Sequence, residues 1–358
     1  MLESVCARLR GVRVPISSSA IDAARAHDVH LLLADQLTAE ELAALPDLAD
    51  ELRAAAVVTA WRDRELRAVL RNLARAGVDA LVVKGAALAH TLYTAPYLRP
   101  RTDVDLLVTA ASVGDCDGVL VASGWQRAPE PDTVSIAAQR HYERTGPSGL
   151  IEHLDLHWKI SNAVVFADAL TFEELWPRAV AVPALGPSAR APSPADALFL
   201  ACVHRVAHHR NSPLLMWLWD IHLLASSLDE PAQGRFLELA SRARVRAVCA
   251  RGLALASRCF GTPVDRLQAA LAVPGANHEP SAAFLRPHRT VDVVASDLRF
   301  APGWVERGRM IREHLWPPAS YMRTRYPAWP SALLPVAYAY RIVRGAPAWF
   351  RRPNRASR

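Results

Sequence analysis

Residues 80–108, ALVVKGAALAHTLYTAPYLRPRTDVDLLV, contain the two apolar runs that decide the fold class. The first run, Ala80 to Val83, ends at Lys84-Gly85 and is followed by small residues from Ala86 to Leu92. This order predicts a short buried strand that turns directly into a helix. The second run, Asp103 to Val108, follows a loop bounded by two prolines and predicts another strand.

A third strand is predicted further along the chain. One helix is expected to end at Gly124, a turn falls at 146–149, and apolar and polar residues then alternate from Leu150 to Ile160. Strands that alternate with helices predict an α/β unit of about 110 residues.

The segments on either side of this unit have helical patterns. Apolar positions recur every three or four residues from Leu52 to Leu73, and Gly77 ends that pattern. Four prolines between 183 and 194 predict a linker, after which Ser193-Pro194 predicts the start of another helix. We therefore divide the chain into an N-terminal helical region (1–76), a core (77–185), a helical domain (186–300) and a basic Trp/Tyr/Arg-rich tail (301–358) with one predicted helix, Leu333 to Val343.

Composition excludes several classes of protein. Of 358 residues, 51% are hydrophobic and 22% are charged, so the chain is neither disordered nor fibrous. No apolar run reaches the roughly 18 to 20 residues that a membrane span needs. The first residues do not form a signal-peptide pattern, and five scattered cysteines without a CxxC pair are typical of a reducing compartment. We expect a cytoplasmic globular protein with no membrane span.

The net charge of +7 is concentrated at one end of the chain. Residues 301–358 contain eleven arginines against Glu306 and Glu313, so the first 300 residues carry about −2. A slightly acidic body does not favour nucleic acid as a partner. The basic tail is either solvated or in contact with phosphates or another anionic surface.

Lysine is rare in this chain. Of 42 basic residues only Lys84 and Lys159 are lysines, and the other forty are arginines. An ammonium is compact and flexible where a guanidinium is planar, so these two positions are candidates for a role that arginine cannot fill.

Two acids begin the second predicted strand. Because strand side chains alternate, Asp103 and Asp105 project from one face and repel each other unless a positive group lies between them. A divalent cation such as Mg²⁺ is one candidate for that group, and Arg99 or Arg101 is the other. The simpler alternative is a solvated strand end.

The third predicted strand carries a polar stripe. Its apolar residues alternate with four polar ones, His153, Asp155, His157 and Lys159. Two interpretations remain: the polar outer face of an antiparallel edge strand, or a third carboxylate that completes a metal cluster with Asp103 and Asp105.

The turn Lys84-Gly85-Ala86 joins a strand to a helix. Glycine lets the backbone approach a ligand closely, and the N–H groups at the start of a helix favour anions such as phosphate. By itself the tripeptide is a weak signal, since many such turns contain it.

Taken together, these segments resemble the DNA polymerase β-like nucleotidyltransferase superfamily. More narrowly, the chain is similar to a largely uncharacterised bacterial nucleotidyltransferase family with a KG turn. The resemblance runs in order from about residue 80 to 225. It is carried by LVVKGAALAHTLY, LRPRTDVDLLV, IEHLDLHW and VHRVAHHRNSPLLMWLWDIHLL, with looser agreement in LWPPASYMRTRYP.

The resemblance implies a polymerase β-like α/β (α+β) core with a small mixed sheet, flanked by helical segments. It makes Asp103 and Asp105 ligands of two Mg²⁺ ions (or Mn²⁺) and Asp155 the third ligand, which also helps to deprotonate the attacking hydroxyl. The residues expected to bind nucleotide are Lys84, Gly85, Ala86, Arg101, His157 and Lys159. Ala86 departs from the superfamily, which usually has Ser or Gly there, and Lys84 is expected to compensate.

The function implied is transfer of a nucleoside monophosphate from an NTP to an acceptor hydroxyl or phosphate, with release of pyrophosphate. The acceptor stays open between a peptide, a sugar and a small metabolite. The alternative is a non-catalytic nucleotide-binding or antitoxin-like partner protein that retains the fold.

A second polar group lies in the helical domain. His204 and His208 are one helical turn apart, so a second metal site is one interpretation, and the other is that these side chains line the cleft facing the sheet. We expect Trp217 and Trp219 in the core rather than stacked on a nucleobase.

Overall fold

A mixed sheet lies at the centre of the chain, whose structure is a computed structural model that describes residues 1–128, 137–146 and 149–350. Within those residues the strands are β1 (Leu81–Val83), β2 (Asp103–Leu107), β3 (Gln126–Arg127), β4 (Gln139–Thr145), β5 (Ile151–His157), β6 (Val180–Ala181) and β7 (Arg190–Ala191). They lie side by side in the order β3-β4-β5-β2-β1-β7-β6. β2 is parallel to β5 and β1 is parallel to β7, while the other neighbours are antiparallel.

Helices surround this sheet, so the predicted fold class, α/β with a small mixed sheet flanked by helices, is confirmed. Before the sheet come α1 (Leu2–Leu9), α2 (Ser18–Ala26), α3 (His30–Asp35), α4 (Ala39–Ala43) and α5 (Pro46–Arg75). Between the strands lie α6 (Lys84–Thr91), α7 (Val113–Ala122), α8 (Val164–Ala167) and α9 (Phe172–Leu175). After them come α10 (Pro194–Ala207), α11 (Leu215–Ser227), α12 (Glu230–Arg242), α13 (Arg246–Phe260), α14 (Asp265–Leu271), α15 (Thr290–Phe300), α16 (Gly303–Leu315), α17 (Ala319–Arg325) and α18 (Leu334–Phe350).

Alternation along the central strands gives the sheet two different faces. Val104 and Leu106 of β2 pack with Leu154 and Leu156 of β5 and with α5 and α7 on one side. Leu107 belongs to the opposite cluster, with α10 to α13. Because strand side chains alternate, Asp103 and Asp105 share the face of Leu107. The acids therefore point toward the layer of helices α10 and α11.

The N-terminal helices contact two parts of the molecule. Val5 of α1 and Leu33 of α3 belong to one apolar cluster with Met216 of α11 and Phe260 of α13. The longer α5 covers the opposite face of the sheet. The domain boundaries proposed from sequence remain a prediction.

The segment predicted as a linker contains regular structure. Pro183–Leu185 forms a short 3-10 helix and Arg190–Ala191 forms β7, which pairs with β1 at Leu81 and Arg190. A two-residue strand carries no periodic signal, and Pro187 and Pro192 on either side of it favour a loop in the sequence. The prediction of a plain linker was therefore wrong.

The basic tail holds more helix than the sequence predicted. Only one helix was expected, from Leu333 to Val343, whereas α16 and α17 precede it and α18 extends to Phe350. Closely spaced prolines between these helices made the segment look irregular, although proline stops a helix without preventing one on either side.

Two further details concern β5. The strand is shorter than predicted, Ile151–His157 instead of Leu150 to Ile160. It lies between β4 and β2, so the interpretation of an edge strand was wrong. In the part of the chain that the structure describes, no helix is both long and apolar enough to cross a membrane.

Candidate active site

Parallel pairing of β2 with β5 brings the acids together. Asp105 is opposite Asp155 and Asp103 is opposite His153 in this register. His157 follows two residues after Asp155 and therefore projects from the same face. Ligand atoms of Asp105, Asp155 and His157 lie within 4.8 Å of one another, and all three residues are buried. This acidic cluster is the group that the sequence placed on one face of the sheet.

Lys84 supplies the positive charge that the buried acids need. Val83 pairs with Asp105 at the end of β1, so the next residue is adjacent to that carboxylate. The Lys84 Nζ lies 2.6 Å from Asp105 Oδ1 and 3.2 Å from His157 Nε2, and His157 Nε2 is 2.8 Å from the same oxygen. Burial opposes ionisation, but the Lys84 ammonium and the His157 hydrogen bond outweigh it and hold the pKa of Asp105 well below its usual range.

The backbone at Lys84 is strained. Its φ is +53°, in the left-handed region that a residue with a side chain seldom adopts. Such a conformation costs of order 1 kcal/mol or more and tends to persist at functional sites, where the surrounding structure holds it. The strain occurs at the residue whose side chain contacts the acidic cluster.

Asp103 is the acid in this group that lacks a cationic partner in contact. Within residues 1–128, 137–146 and 149–350, no side chain forms a hydrogen bond or ion pair with its carboxylate. Burial and the charges of Asp105 and Asp155 raise its pKa to about 6. The three carboxylates of Asp103, Asp105 and Asp155 carry more negative charge than the one ammonium of Lys84 can neutralise. A bound divalent cation would supply the remaining positive charge.

His141 on β4 is a member of the site that sequence reasoning missed. It is opposite Asp155 in the β4–β5 register, and its Nδ1 hydrogen-bonds to Asp155 Oδ1. The Nε2 of the same ring lies 2.8 Å from Gln139 Nε2. In QRHYERT, the alternation of Gln139 and His141 indicates a polar strand face. The sequence of this segment does not indicate that the strand pairs with β5.

The side chain of Arg99 lies so close to the backbone at position 85 that a residue with a side chain does not fit there. A Cβ at this position would lie 2.5 Å from Arg99 Nη1. The Arg99 guanidinium donates to Asp220 from Nε at 3.0 Å and from Nη2 at 2.7 Å, and Tyr93 Oη donates to Asp220 at 2.6 Å. Arg99 and Asp220 are both buried. The loop before β2 is thereby tied to α11.

Neither arginine of that loop neutralises the acid pair. Arg101 Nη2 donates to Asp63 of α5 at 2.6 Å, and His90 Nε2 lies 3.1 Å from the same carboxylate oxygen. The alternative that Arg99 or Arg101 pairs with Asp103 and Asp105 was therefore wrong. Lys84 pairs with Asp105 instead, and Asp103 has no such partner among the described residues. Arg101 nevertheless retains two buried nitrogens, Nε and Nη1, with no partner in the described residues.

A cavity of about 560 Å³ opens between the sheet and helices α10 and α11. Of the residues predicted from sequence, Lys84, Gly85, Arg101, Asp103, Asp105 and Asp155 line it. His157 lies in the acidic cluster and lines a small adjoining space. Two predicted nucleotide-binding residues lie elsewhere: Ala86 packs in the cluster on the other face of the sheet, and Lys159 pairs with Asp168 at 3.0 Å.

Histidines from α10 and the turn after it form the opposite wall. His204, His208, His209 and Trp217 line the cavity, which agrees with the interpretation of a cleft lining. Burial and the nearby Lys84 ammonium lower the pKa of His208 to about 4 and hold the pKa of His204 well below its usual value. These imidazoles are therefore neutral at pH 7. Among described residues, the acidic cluster is the one group with metal-ligand geometry, so the histidine wall forms no second metal site there.

The two tryptophans of α11 differ in their surroundings. Trp217 lies on the cavity wall, with its ring centroid 3.9 Å from that of His209. Trp219 packs edge-on against Phe260 at 4.9 Å and beside His222, away from the cavity. Both tryptophans are partly buried and pack against the apolar cluster of the N-terminal helices, as expected, and Trp217 also lines the cavity.

A family model described as uncharacterised nucleotidyltransferase matches residues 17–261, more than half of the chain. The protein belongs to this nucleotidyltransferase family. The matched residues contain the acidic cluster, the Lys84 turn and the histidine wall, and end one residue after α13. A search among curated proteins found no match.

Replacing Gly85 with alanine tests the contact with Arg99. We expect Gly85→Ala to destabilise the protein by about 1 to 3 kcal/mol, because two other nitrogens of Arg99 already donate to Asp220 and the guanidinium has no free direction in which to move. Thermal and urea denaturation would measure the loss. Gly118→Ala is the matched control, since Gly118 lies on the exposed side of α7 with nothing within 4 Å of the added Cβ. Equal stability of the two variants would contradict this account of Gly85.

Proposed function

We propose that the protein is a metal-dependent nucleotidyltransferase that moves a nucleoside monophosphate from an NTP to an acceptor hydroxyl or phosphate. The observation that carries the proposal is the convergence of Asp103, Asp105 and Asp155 on one cavity, next to the first turn of α6. Membership of a nucleotidyltransferase family supports the same reaction class. A protein that only binds a partner has no need of three converging carboxylates.

The donor set fits a divalent cation. Carboxylate oxygens are the ligands that Mg²⁺ prefers, and Asp103, Asp105 and Asp155 provide them from two adjacent strands. Asp103 has no cationic partner in contact among the described residues, and burial together with the charges of Asp105 and Asp155 raises its pKa to about 6. His157 adds a nitrogen ligand, which Mn²⁺ accepts more readily than Mg²⁺ does. We propose Mg²⁺ as the ion in the cell and Mn²⁺ as an effective substitute.

The phosphates of the NTP are proposed to lie at the start of α6. Backbone N–H groups in the first turn of a helix favour an anion, and the absence of a side chain at Gly85 lets the positive guanidinium of Arg99 lie against this turn. Arg101, with its two unpartnered nitrogens, is the proposed partner for the departing pyrophosphate. Ala86 offers no hydroxyl and its side chain faces the core, so Lys84 is the proposed substitute.

The chemical step is an in-line displacement at the α-phosphorus. A bond forms from the acceptor oxygen to phosphorus, the bond to the bridging oxygen of pyrophosphate breaks, and the acceptor proton leaves. Bound divalent cations would supply charge neutralisation and orientation for this step. Asp155 is the proposed acceptor of the proton, and the His141 hydrogen bond orients its carboxylate while one oxygen remains for the proton. The histidine wall faces the acids across the cavity.

A transfer assay tests the proposed function. The protein is incubated with each α-labelled NTP, Mg²⁺ or Mn²⁺ and a cell extract that supplies the acceptor, and pyrophosphate release is followed in parallel. We expect transfer by the wild type and a loss of at least about a hundredfold in Asp155→Asn. Asp168→Asn, an exposed acid paired with Lys159, is the control and should transfer normally.

The outcomes of this assay separate the two functions under consideration. Equal transfer by the wild type and Asp155→Asn would contradict the role of the acidic cluster. Metal-dependent NTP binding without transfer to any acceptor would favour the non-catalytic nucleotide-binding protein. Absence of both binding and transfer would overturn the nucleotidyltransferase proposal.

Lys84 and a cation compete for the same carboxylate oxygen in this proposal. Nζ is 2.6 Å from Asp105 Oδ1, so the ammonium must leave when a metal ion binds there. Removing it should tighten Mn²⁺ binding in the absence of nucleotide by about tenfold, while weakening NTP binding. Electron paramagnetic resonance titration of Lys84→Met with Mn²⁺ would measure the first effect, with Lys159→Met, the other lysine, as control. Weaker Mn²⁺ binding in Lys84→Met alone would contradict the competition.

A further inference from the structure

The last helix of the described chain, α18 (Leu334–Phe350), has two apolar faces. One face packs on the tail: Ala337 is buried, Tyr338 Oη donates to Pro317 O at 2.6 Å, and Arg341 Nη1 donates to His314 O at 2.8 Å. The ring of Trp349 lies 5.7 Å from that of His314 on the same side. This face explains how the helix is attached to the protein.

The opposite face of α18 is largely exposed and also apolar, although the ring of Tyr340 lies 5.4 Å from that of Trp329 and 6.1 Å from that of Tyr326. Val336 is 53% exposed, Tyr340 37%, Val343 74% and Phe350 61%. At 100° per residue these four positions fall within an arc of about 80°, centred opposite the packed face. An apolar stripe on an exposed helix face is typical of a surface that binds a partner. We call these four residues the α18 stripe.

Positive charge lies beside the α18 stripe and follows it in the sequence. Arg344 is exposed next to it, with its guanidinium carbon 5.6 Å from the centre of the Tyr340 ring. In sequence, residues 314–358 contain eight arginines and neither Asp nor Glu. Four of those arginines follow the helix directly, in the final RRPNRASR. A partner of the stripe must therefore be apolar and negatively charged.

An anionic lipid surface meets both requirements. Its acyl chains accept an apolar helix face to a depth of about 5 to 10 Å, and its acidic headgroups attract each arginine near the surface with about 1 kcal/mol. A second copy of the chain would place one arginine-rich helix against another without any acid to pair them. No described helix can cross a membrane, so the contact would be in the plane of the surface.

We propose that the α18 stripe docks the protein on the surface of an anionic membrane. The same tail has two exposed tryptophans, Trp304 at 82% and Trp316 at 57%, and tryptophan is favoured at the membrane–water boundary. The proposal does not depend on the nucleotidyltransferase reaction.

Sedimentation of the full chain with vesicles tests the proposal. Two kinds of vesicle are compared. Binding to phosphatidylcholine alone measures the apolar contribution, and the increase with about 30% phosphatidylglycerol measures the contribution of negative charge. The wild type should bind the anionic vesicles at low salt and lose most of that binding at high salt. Val343→Asp should reduce binding at least fivefold, because it places a carboxylate in the centre of the stripe.

Val57→Asp provides the matched control. Val57 is 70% exposed on α5, so the same change adds the same charge to an exposed helix outside the tail. This variant should bind like the wild type, and circular dichroism would verify that both variants are folded. Failure of the wild type to bind anionic vesicles, or equal binding by Val343→Asp and Val57→Asp, would overturn the proposal. The wild type could instead form a dimer in analytical ultracentrifugation and bind no vesicles. If Val343→Asp alone abolished that dimer, the partner of the stripe would be a second copy of the chain, and the membrane proposal would be overturned.

Discussion

Parallel pairing of β2 with β5 is the constraint on which the site depends. The register that places Asp105 opposite Asp155 also aligns Asp103 and His157 on the same face. Acids this close cannot all stay ionised in a buried site without a positive group. The ammonium of Lys84 fills part of that need at 2.6 Å from Asp105. Asp103 has no such partner among the described residues, and burial together with the charges of Asp105 and Asp155 raises its pKa to about 6.

The rest of the fold keeps this arrangement fixed and enclosed. One face of the sheet packs on α5 and α7, and the other faces α10 and α11 across the cavity. The buried ion pair between Arg99 and Asp220, joined by Tyr93, ties the loop before β2 to the far wall. A buried pair of this kind contributes orientation more than net stability, since desolvation offsets much of its attraction. Its role here is to hold the cavity walls at a set distance.

Much of this site was readable from sequence, because its elements have local patterns. The runs before Lys84 and from Asp103 to Val108 have the length and composition of buried strands, and strand alternation places both acids on one face. Other parts depend on contacts between distant segments. The pairing of His141 with Asp155, and of Arg99 with Asp220 across 121 positions, leaves no periodic trace in either segment. The exposed face of α18 was missed because the sequence does not show which apolar positions of a helix pack on the protein and which face solvent.

Crystals grown with Mn²⁺ and a non-hydrolysable NTP analogue would show whether the carboxylates of this site hold divalent cations together with a nucleotide. The crystals are measured for the anomalous scattering of manganese. We expect a manganese peak among the carboxylates of Asp103, Asp105 and Asp155, with Lys84 Nζ moved away from Asp105 toward the phosphates. A bound nucleotide with no peak at these carboxylates, or with manganese only at the histidine wall, would show that the three acids do not hold the metal.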